Sequence, residues 1–304
     1  MLFRSLLLGR LQPARFLGGE FTLELDRTRR VVAAWLKAKH SRMSAEEFSA
    51  GVIRVVNATM EKAVRVVSVE RGYDPRDFVL VAFGGAGGLH ACELANALGI
   101  RRVMVPAMPG ALSAFGILVS DVVKDYSRTV VWRTGSVDWQ RSARSEFARL
   151  RAAAVRGLRH EKWTGKTEFS ETMDLRYRGQ GYELNVPHAR DSLAAFHAEH
   201  QRRYGYAHPD REVEIVTLRL RARVPSGHVN WNPERTRTQT PAEDAKVWID
   251  GRVRKVTLLD RDSLRPGRRL RGPAVVTEYS ATTWVPRGAT FYLDRAANLI
   301  IETA

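Results

Sequence analysis

Gly84-Gly85-Ala86-Gly87-Gly88 puts four glycines in five positions, and His90 follows two residues later. Glycines this dense leave backbone N–H groups uncovered, which is how α/β proteins bring the main chain against a nucleotide or phosphate. Tight strand-to-helix turns use glycine for steric reasons alone, so spacing leaves both uses open. Neither common phosphate fingerprint fits: G-x-x-x-x-G-K-[ST] is missing, and Gly85-Ala86-Gly87-Gly88-Leu89-His90 is not G-x-G-x-x-G. The imidazole of His90, at the head of the next helix, suits a proton carrier, a ligand or a substrate contact. A helix-start histidine bonded to nearby backbone is the plainer alternative.

Other polar groupings are less specific. Arg176, Arg178, Gln180 and Tyr182 form a hydrogen-bond-rich cluster on an expected hairpin, and Tyr204-Gly205-Tyr206 with His208 forms another. Both suit cross-strand bonding on an exposed face, with substrate or subunit contact as the sharper use. His197 and His200 stand one helical turn apart with Glu199 between them, but no third and fourth metal ligand lies nearby in sequence, so no metal site is assigned. There is no nucleophile elbow, H-E-x-x-H pair or recognisable acid dyad.

The elements that must position these residues read as follows. Val79 to Phe83 is an unbroken apolar run, expected as a strand buried on both faces. Leu89 to Leu98 has helical spacing, with Gly99 at its C-cap. Ser44-Ala45-Glu46-Glu47 is a capping-box pattern. It opens a long helix whose apolar residues Phe48, Val52, Val55, Val56, Met60, Ala63, Val64 and Val67 predict a wide buried stripe. Arg102 to Val105 reads as a short strand, and Pro109-Gly110 through Gly116 as a close-packed turn into a helix. Asp138 to His160 reads as a charged helix with a narrow stripe of Phe147, Leu150, Ala154 and Leu158. Thr167 to Tyr177 and Tyr182 to Val186 read as paired strands, Ser192 to Tyr204 as a helix, and Val213 to Val224 as a half-exposed strand. Residues 228–242 read as a polar linker, and Lys246 to Glu302 as short strands between Gly and Pro turns, a compact β module. The expected organisation is therefore α/β over 1–125, α+β over 126–227 and β-rich over 228–304.

At 304 residues, 44% hydrophobic and 27% charged, the composition is globular. No apolar run approaches the roughly 20 residues of a membrane span. The single Cys92 excludes an internal disulfide framework and suits a reducing cytoplasm; it is expected to be buried packing. A net charge of +16 raises the question of nucleic acid. The basic residues are dispersed, as in Arg141/Arg144/Arg149/Arg151/Arg156/Arg159, and no aromatic-interleaved RNA motif, zinc-finger spacing or basic zipper occurs. They read as a solvated face, with neither nucleic acid nor membrane as partner.

The motifs around the glycines are more informative together. Val66-Val67-Ser68-Val69-Glu70-Arg71-Gly72 through Asp77 leads into the loop, and Gly99-Ile100 through Pro106 and Pro109-Gly110-Ala111-Leu112-Ser113-Ala114-Phe115-Gly116 follows it. Asp174-Leu175-Arg176-Tyr177-Arg178-Gly179-Gln180-Gly181-Tyr182, then Arg203-Tyr204-Gly205-Tyr206, then Gly272-Pro273-Ala274-Val275-Val276 through Pro286 complete the set. In this order, across about nine-tenths of the chain, they resemble the hydantoinase A / 5-oxoprolinase / acetone carboxylase family. The resemblance implies the C-terminal part of an actin-like ATPase lobe followed by α+β and β-rich regions. The family couples ATP cleavage to opening a cyclic amide, or to carboxylating a ketone. It implies ATP and Mg²⁺ as cofactors, a hydantoinase B-type subunit as partner, and nucleotide contact at Gly84, Gly85, Ala86, Gly87 and Gly88, with His90 the candidate catalytic residue. Two departures stand out. The family usually has proline where Gly88 stands, which would make this loop looser. The acidic phosphate loops of Asp-x-Gly-Gly-Thr type do not occur in these residues, so the chain resembles a C-terminal half and is expected to be inactive alone, completed by a separate N-terminal ATPase half. The alternatives are a non-catalytic assembly subunit that completes a separately encoded N-terminal half, an acetone carboxylase-type subunit, or a basic nucleic-acid-binding protein.

Overall fold

The computed structural model describes residues 3–135, 138–227 and 240–303. Most of the expected linker, 228–239, lies outside the described residues. The chain divides into two compact units, one of residues 1–117 with 231–304 and one of residues 118–230.

The first unit begins with α1 (Phe3–Leu7), α2 (Leu25–Ala38) and α3 (Ala45–Val67). The capping box forms as expected: Ser44 Oγ accepts the Glu47 N–H at 3.0 Å, and Glu47 Oε2 accepts the Ser44 N–H at 2.8 Å. Then come β1 (Leu80–Val81), α4 (Gly87–Leu98), β2 (Arg102–Val105) and α5 (Leu112–Val119), which runs to the boundary of the unit. Gly99 closes α4 at φ +71°, the left-handed conformation a helix C-cap of this kind uses.

The second unit is a four-stranded antiparallel sheet, β3 (Val122–Arg133), β4 (Glu168–Tyr177), β5 (Leu184–Pro187) and β6 (Val213–Val224), in order β3-β6-β4-β5. The helices α6 (Trp139–His160) and α7 (Ser192–Tyr204) supply Phe147, Ala154, Leu158 and Phe196 to its core, against Met173, Leu175, Ile215 and Leu218.

The chain then returns to the first unit with β7 (Glu243–Ile249), β8 (Arg252–Asp260), β9 (Leu270–Arg271), β10 (Ala274–Glu278), β11 (Ala281–Val285), β12 (Thr290–Leu293) and β13 (Leu299–Glu302). The short strands expected here are present but divided between two sheets. One has the order β11-β10-β8-β7; the other is β1-β2-β13-β12-β9. β13 pairs antiparallel with β2, Leu299 opposite Val105 and Ile301 opposite Val103. Leu299 and Ile301 are fully buried, and β2 and β12 supply the neighbours on either side that such a strand needs.

Two expectations are corrected. The run from Val79 to Phe83 is not a strand buried on both faces: β1 is two residues long at the sheet edge, and Val81 and Phe83 are 47% and 53% exposed. Nor is the stripe of α3 buried. Its enclosed line is Ala45, Ser49 and Ile53, spaced four apart, while Val55 is 67% exposed and Met60, Val66 and Val67 are also exposed. An amphipathic pattern says that a face wants cover; whether cover exists depends on which chain segments reach it.

Candidate active site at the glycine loop

The loop from Phe83 to Ala86 joins edge strand β1 to α4, and neighbouring segments hold it from two sides. The Gly84 N–H donates to the Pro109 carbonyl at 2.7 Å, and the Thr282 N–H donates to the Gly85 carbonyl at 3.4 Å. The β10–β11 turn at Tyr279-Ser280 is central. A Cβ on Gly85 would lie 3.0 Å from the Ser280 carbonyl oxygen, and one on Gly110 would collide with Ser280 outright. At Gly88 a Cβ would collide with Thr283 Oγ1 and lie 3.0 Å from the Thr282 carbonyl oxygen. Gly88 therefore sits where α4 presses on β11; the expectation of a looser loop is replaced by one pinned against a strand. Gly84 differs: its φ is +85° and the place of a Cβ is open space. Gly85 is solvent-exposed and Ala86, at the N-cap of α4, makes no side-chain cap. One side of the loop is thus held by the protein, and on the other the backbone of half-buried Gly84 and exposed Gly85 lies open at the start of a helix.

His90 lies in the first turn of α4, 7% exposed. Its Nδ1 is 2.6 Å from Asn57 Oδ1; Asn57 Nδ2 donates to Glu93 Oε2 at 2.5 Å, and Arg10 Nη1 donates to Glu93 Oε1 at 2.6 Å. The Arg10 guanidinium also stacks 5.3 Å from the Trp284 ring centroid. Burial holds the imidazole below its ordinary value; nearby Glu93 opposes that, and Arg10 and Arg4 reinforce it. Cys92, on the same helix, is buried, and its thiol is pushed up to about 12, so it packs as an inert thiol.

The remaining sequence candidates lie in the second unit, where Tyr182 is 75% exposed and several of the others are paired. Tyr177 Oη is 2.8 Å from His197 Nδ1 and accepts the His208 N–H at 2.7 Å, while His200 Nδ1 bonds the Tyr206 carbonyl at 2.7 Å. Glu199 pairs with Arg202 rather than joining the histidines. Arg176 and Arg178 pair with Glu214 and Glu212. Among the described residues no group of three or more His, Cys, Asp or Glu could hold a metal ion, and no helix is long and apolar enough to cross a membrane.

Sequence reading did not find Asn57, Glu93, Arg10 or Ser280. Only the three-residue step from His90 to Glu93 was visible; Asn57 and Arg10 arrive from other elements. It also missed buried Arg261, which donates to Glu278 Oε1 at 2.6 Å and to the carbonyls of Val105 and Ala297. Burial pushes the Glu278 carboxyl up against the pull of Arg261. This clamp fixes the strand that leads into the Tyr279-Ser280 turn.

Residues 5–126 match hydantoinase/oxoprolinase, and residues 136–302 match the hydantoinase/oxoprolinase C-terminal domain. The chain belongs to the hydantoinase/oxoprolinase family. Caprolactamase subunit alpha of Pseudomonas jessenii is 30% identical over 96% of this chain and 44% of its own length. Acetone carboxylase beta subunit of Xanthobacter autotrophicus is 30% identical over 95% of this chain and 44% of its own. A nucleotide-free acetone carboxylase structure superimposes with a TM-score of 0.81 at 25% identity, covering 99% of this chain and 46% of that one. This family member therefore spans less than half the length of the relatives it matches.

Proposed function

We propose that this chain supplies the glycine-loop side of the nucleotide site in an ATP-dependent enzyme that opens a cyclic amide. The observation that supports it most is the loop itself: Gly84 faces open space and Gly85 is exposed beside the uncapped start of α4, in a chain whose family includes ATP-dependent members. Gly84, Gly85, Ala86 and Gly87 would hold the adenosine side of ATP by close backbone approach, while Gly88, buried against β11, seats the start of α4. Bound ATP with Mg²⁺ supplies a phosphoryl group that makes the amide carbonyl susceptible to water. The phosphate and Mg²⁺ end belongs to an N-terminal ATPase part outside these residues, and a B-type subunit would complete the amide site. His90 is then the candidate proton carrier. Electrostatic stabilisation of phosphoryl transfer comes from the phosphate end, so these residues alone should turn over no ATP. The likeness to acetone carboxylase favours carboxylation of a ketone as a second reading for the same nucleotide site.

Calorimetry tests this reading. ATP should bind saturably when the chain is combined with the N-terminal half of a relative, and binding should vanish with Gly85→Arg. No binding in the combination, or steady turnover by the chain alone that Gly85→Arg abolishes, contradicts the reading.

A further inference from the structure

Arg10, Glu93, Asn57 and His90 form an unbroken series of hydrogen bonds in which each partner constrains the next. A guanidinium has only donors, and an ionised carboxylate has only acceptors. Glu93 therefore receives Arg10 on Oε1 and must receive an N–H from Asn57 on Oε2, which turns the amide so that its oxygen faces His90. An amide oxygen facing Nδ1 requires a hydrogen on Nδ1. Among the described residues Nε2 has no hydrogen-bond partner.

We propose that Arg10 and Glu93, acting through Asn57, are positioning residues that hold His90 with its proton on Nδ1 and its Nε2 lone pair available as a hydrogen-bond acceptor. The groups this suits are donors: a water, an amide N–H or a hydroxyl of a bound molecule. Placing that molecule at the glycine loop rests on the nucleotide-site reading; the tautomer does not. The depressed basicity of His90 supports a neutral ring at pH 7.

The direction of the relay depends on one property, that Glu93 cannot donate. In Glu93→Gln the carboxamide oxygen is claimed by Arg10, so its NH₂ faces Asn57. The Asn57 amide then turns over, presents its own NH₂ to Nδ1, and the imidazole proton moves to Nε2. The Arg10 bond keeps its direction, and the two bonds beyond it survive with their polarity reversed.

Long-range ¹⁵N–¹H spectra of the histidine rings, recorded on the purified chain, test this. His90 should show protonated Nδ1 and bare Nε2 in the wild type, and the reverse in Glu93→Gln, with backbone amide spectra and melting temperature little changed. Asn57→Leu, which removes the messenger, should lose the Nδ1–H preference. A wild-type ring protonated on Nε2, or the same tautomer in wild type and Glu93→Gln, overturns the proposal. Should Glu93→Gln fail to fold, the wild-type tautomer and that of Asn57→Leu still decide it. Calorimetric titration with ATP separates the two readings: a tautomer that inverts as stated in an assembly that ignores ATP upholds the relay and removes only the nucleotide site.

Discussion

Glycine does two different jobs between residues 84 and 88. At Gly88 the missing side chain is demanded by the protein itself, because Thr282 and Thr283 occupy the place of a Cβ. At Gly87 the nearest heavy atom to a Cβ is a comfortable 3.6 Å away. Gly88→Ala should therefore destabilise the fold by about 1–3 kcal/mol, the usual cost of overpacking, while Gly87→Ala should leave stability nearly unchanged; paired thermal melts check this. Thr283 sharpens the expectation, since it is 1% exposed and its Oγ1 has no hydrogen-bond partner among the described residues. The histidines make a second residue-scale prediction. Burial depresses His90 and His197 below their ordinary 6.5 in the folded chain. As pH falls through 6.5 the unfolded chain takes up protons first, so their contribution is complete above 6.5 and declines below it. The melting temperature should therefore drop as pH falls below 6.5. Replacing both histidines by glutamine should flatten that slope, and an unchanged slope contradicts the assignment.

At the scale of elements, strand and helix patterns state a demand for cover, and the chain meets it unevenly. β13 is enclosed because β2 and β12 flank it and Leu299 and Ile301 pack with Val103, Val105 and Phe291. β1 has β2 on one side only. α3 presents Ala45, Ser49 and Ile53 inward and leaves Val55, Met60, Val66 and Val67 in water. Arg261 shows how the covered elements are tied together, as one buried guanidinium bridges β2, β10 and the turn before β13. Removing it would strand the Glu278 carboxylate in the interior, the costly way to break a buried pair.

For the whole molecule, the exposed apolar residues and the coverage of relatives bear on the same proposal. Phe78, Val79, Val81 and Phe83 are exposed beside the glycine loop, and the matched relatives are more than twice as long. An apolar surface of this kind favours association. The N-terminal half of a relative should bind this chain and raise its melting temperature, because a partner that binds only the folded form stabilises it by mass action, about 2.7 kcal/mol at a hundredfold excess over Kd. A monomeric chain whose melting temperature ignores that partner would show a self-sufficient domain and end the split-enzyme reading, with the family membership intact.

Where the physics is local, the sequence alone was sufficient. The helix Ser192–Tyr204 and the strand Val213–Val224 have the limits their patterns announce, α4 stops at Gly99, and the Ser44–Glu47 capping box closes on itself. These outcomes depend on residues within about four positions of one another, where propensity, periodicity and capping act. The family was legible too, because its motifs are short and stand in order along the chain. Tertiary structure decided the rest. Nothing near Leu299 announces that it will pair with Val105, and nothing near Gly88 announces that Thr283 will press against it. The exposed side of α3 has as strong an apolar pattern as a buried one, because periodicity encodes which residues share a face and not what meets it. The relay to His90 draws on residues 33 and 83 positions apart in its bonds. Its polarity follows from side-chain chemistry, but its existence follows from α3, α4 and the segment after α1 being brought together by packing.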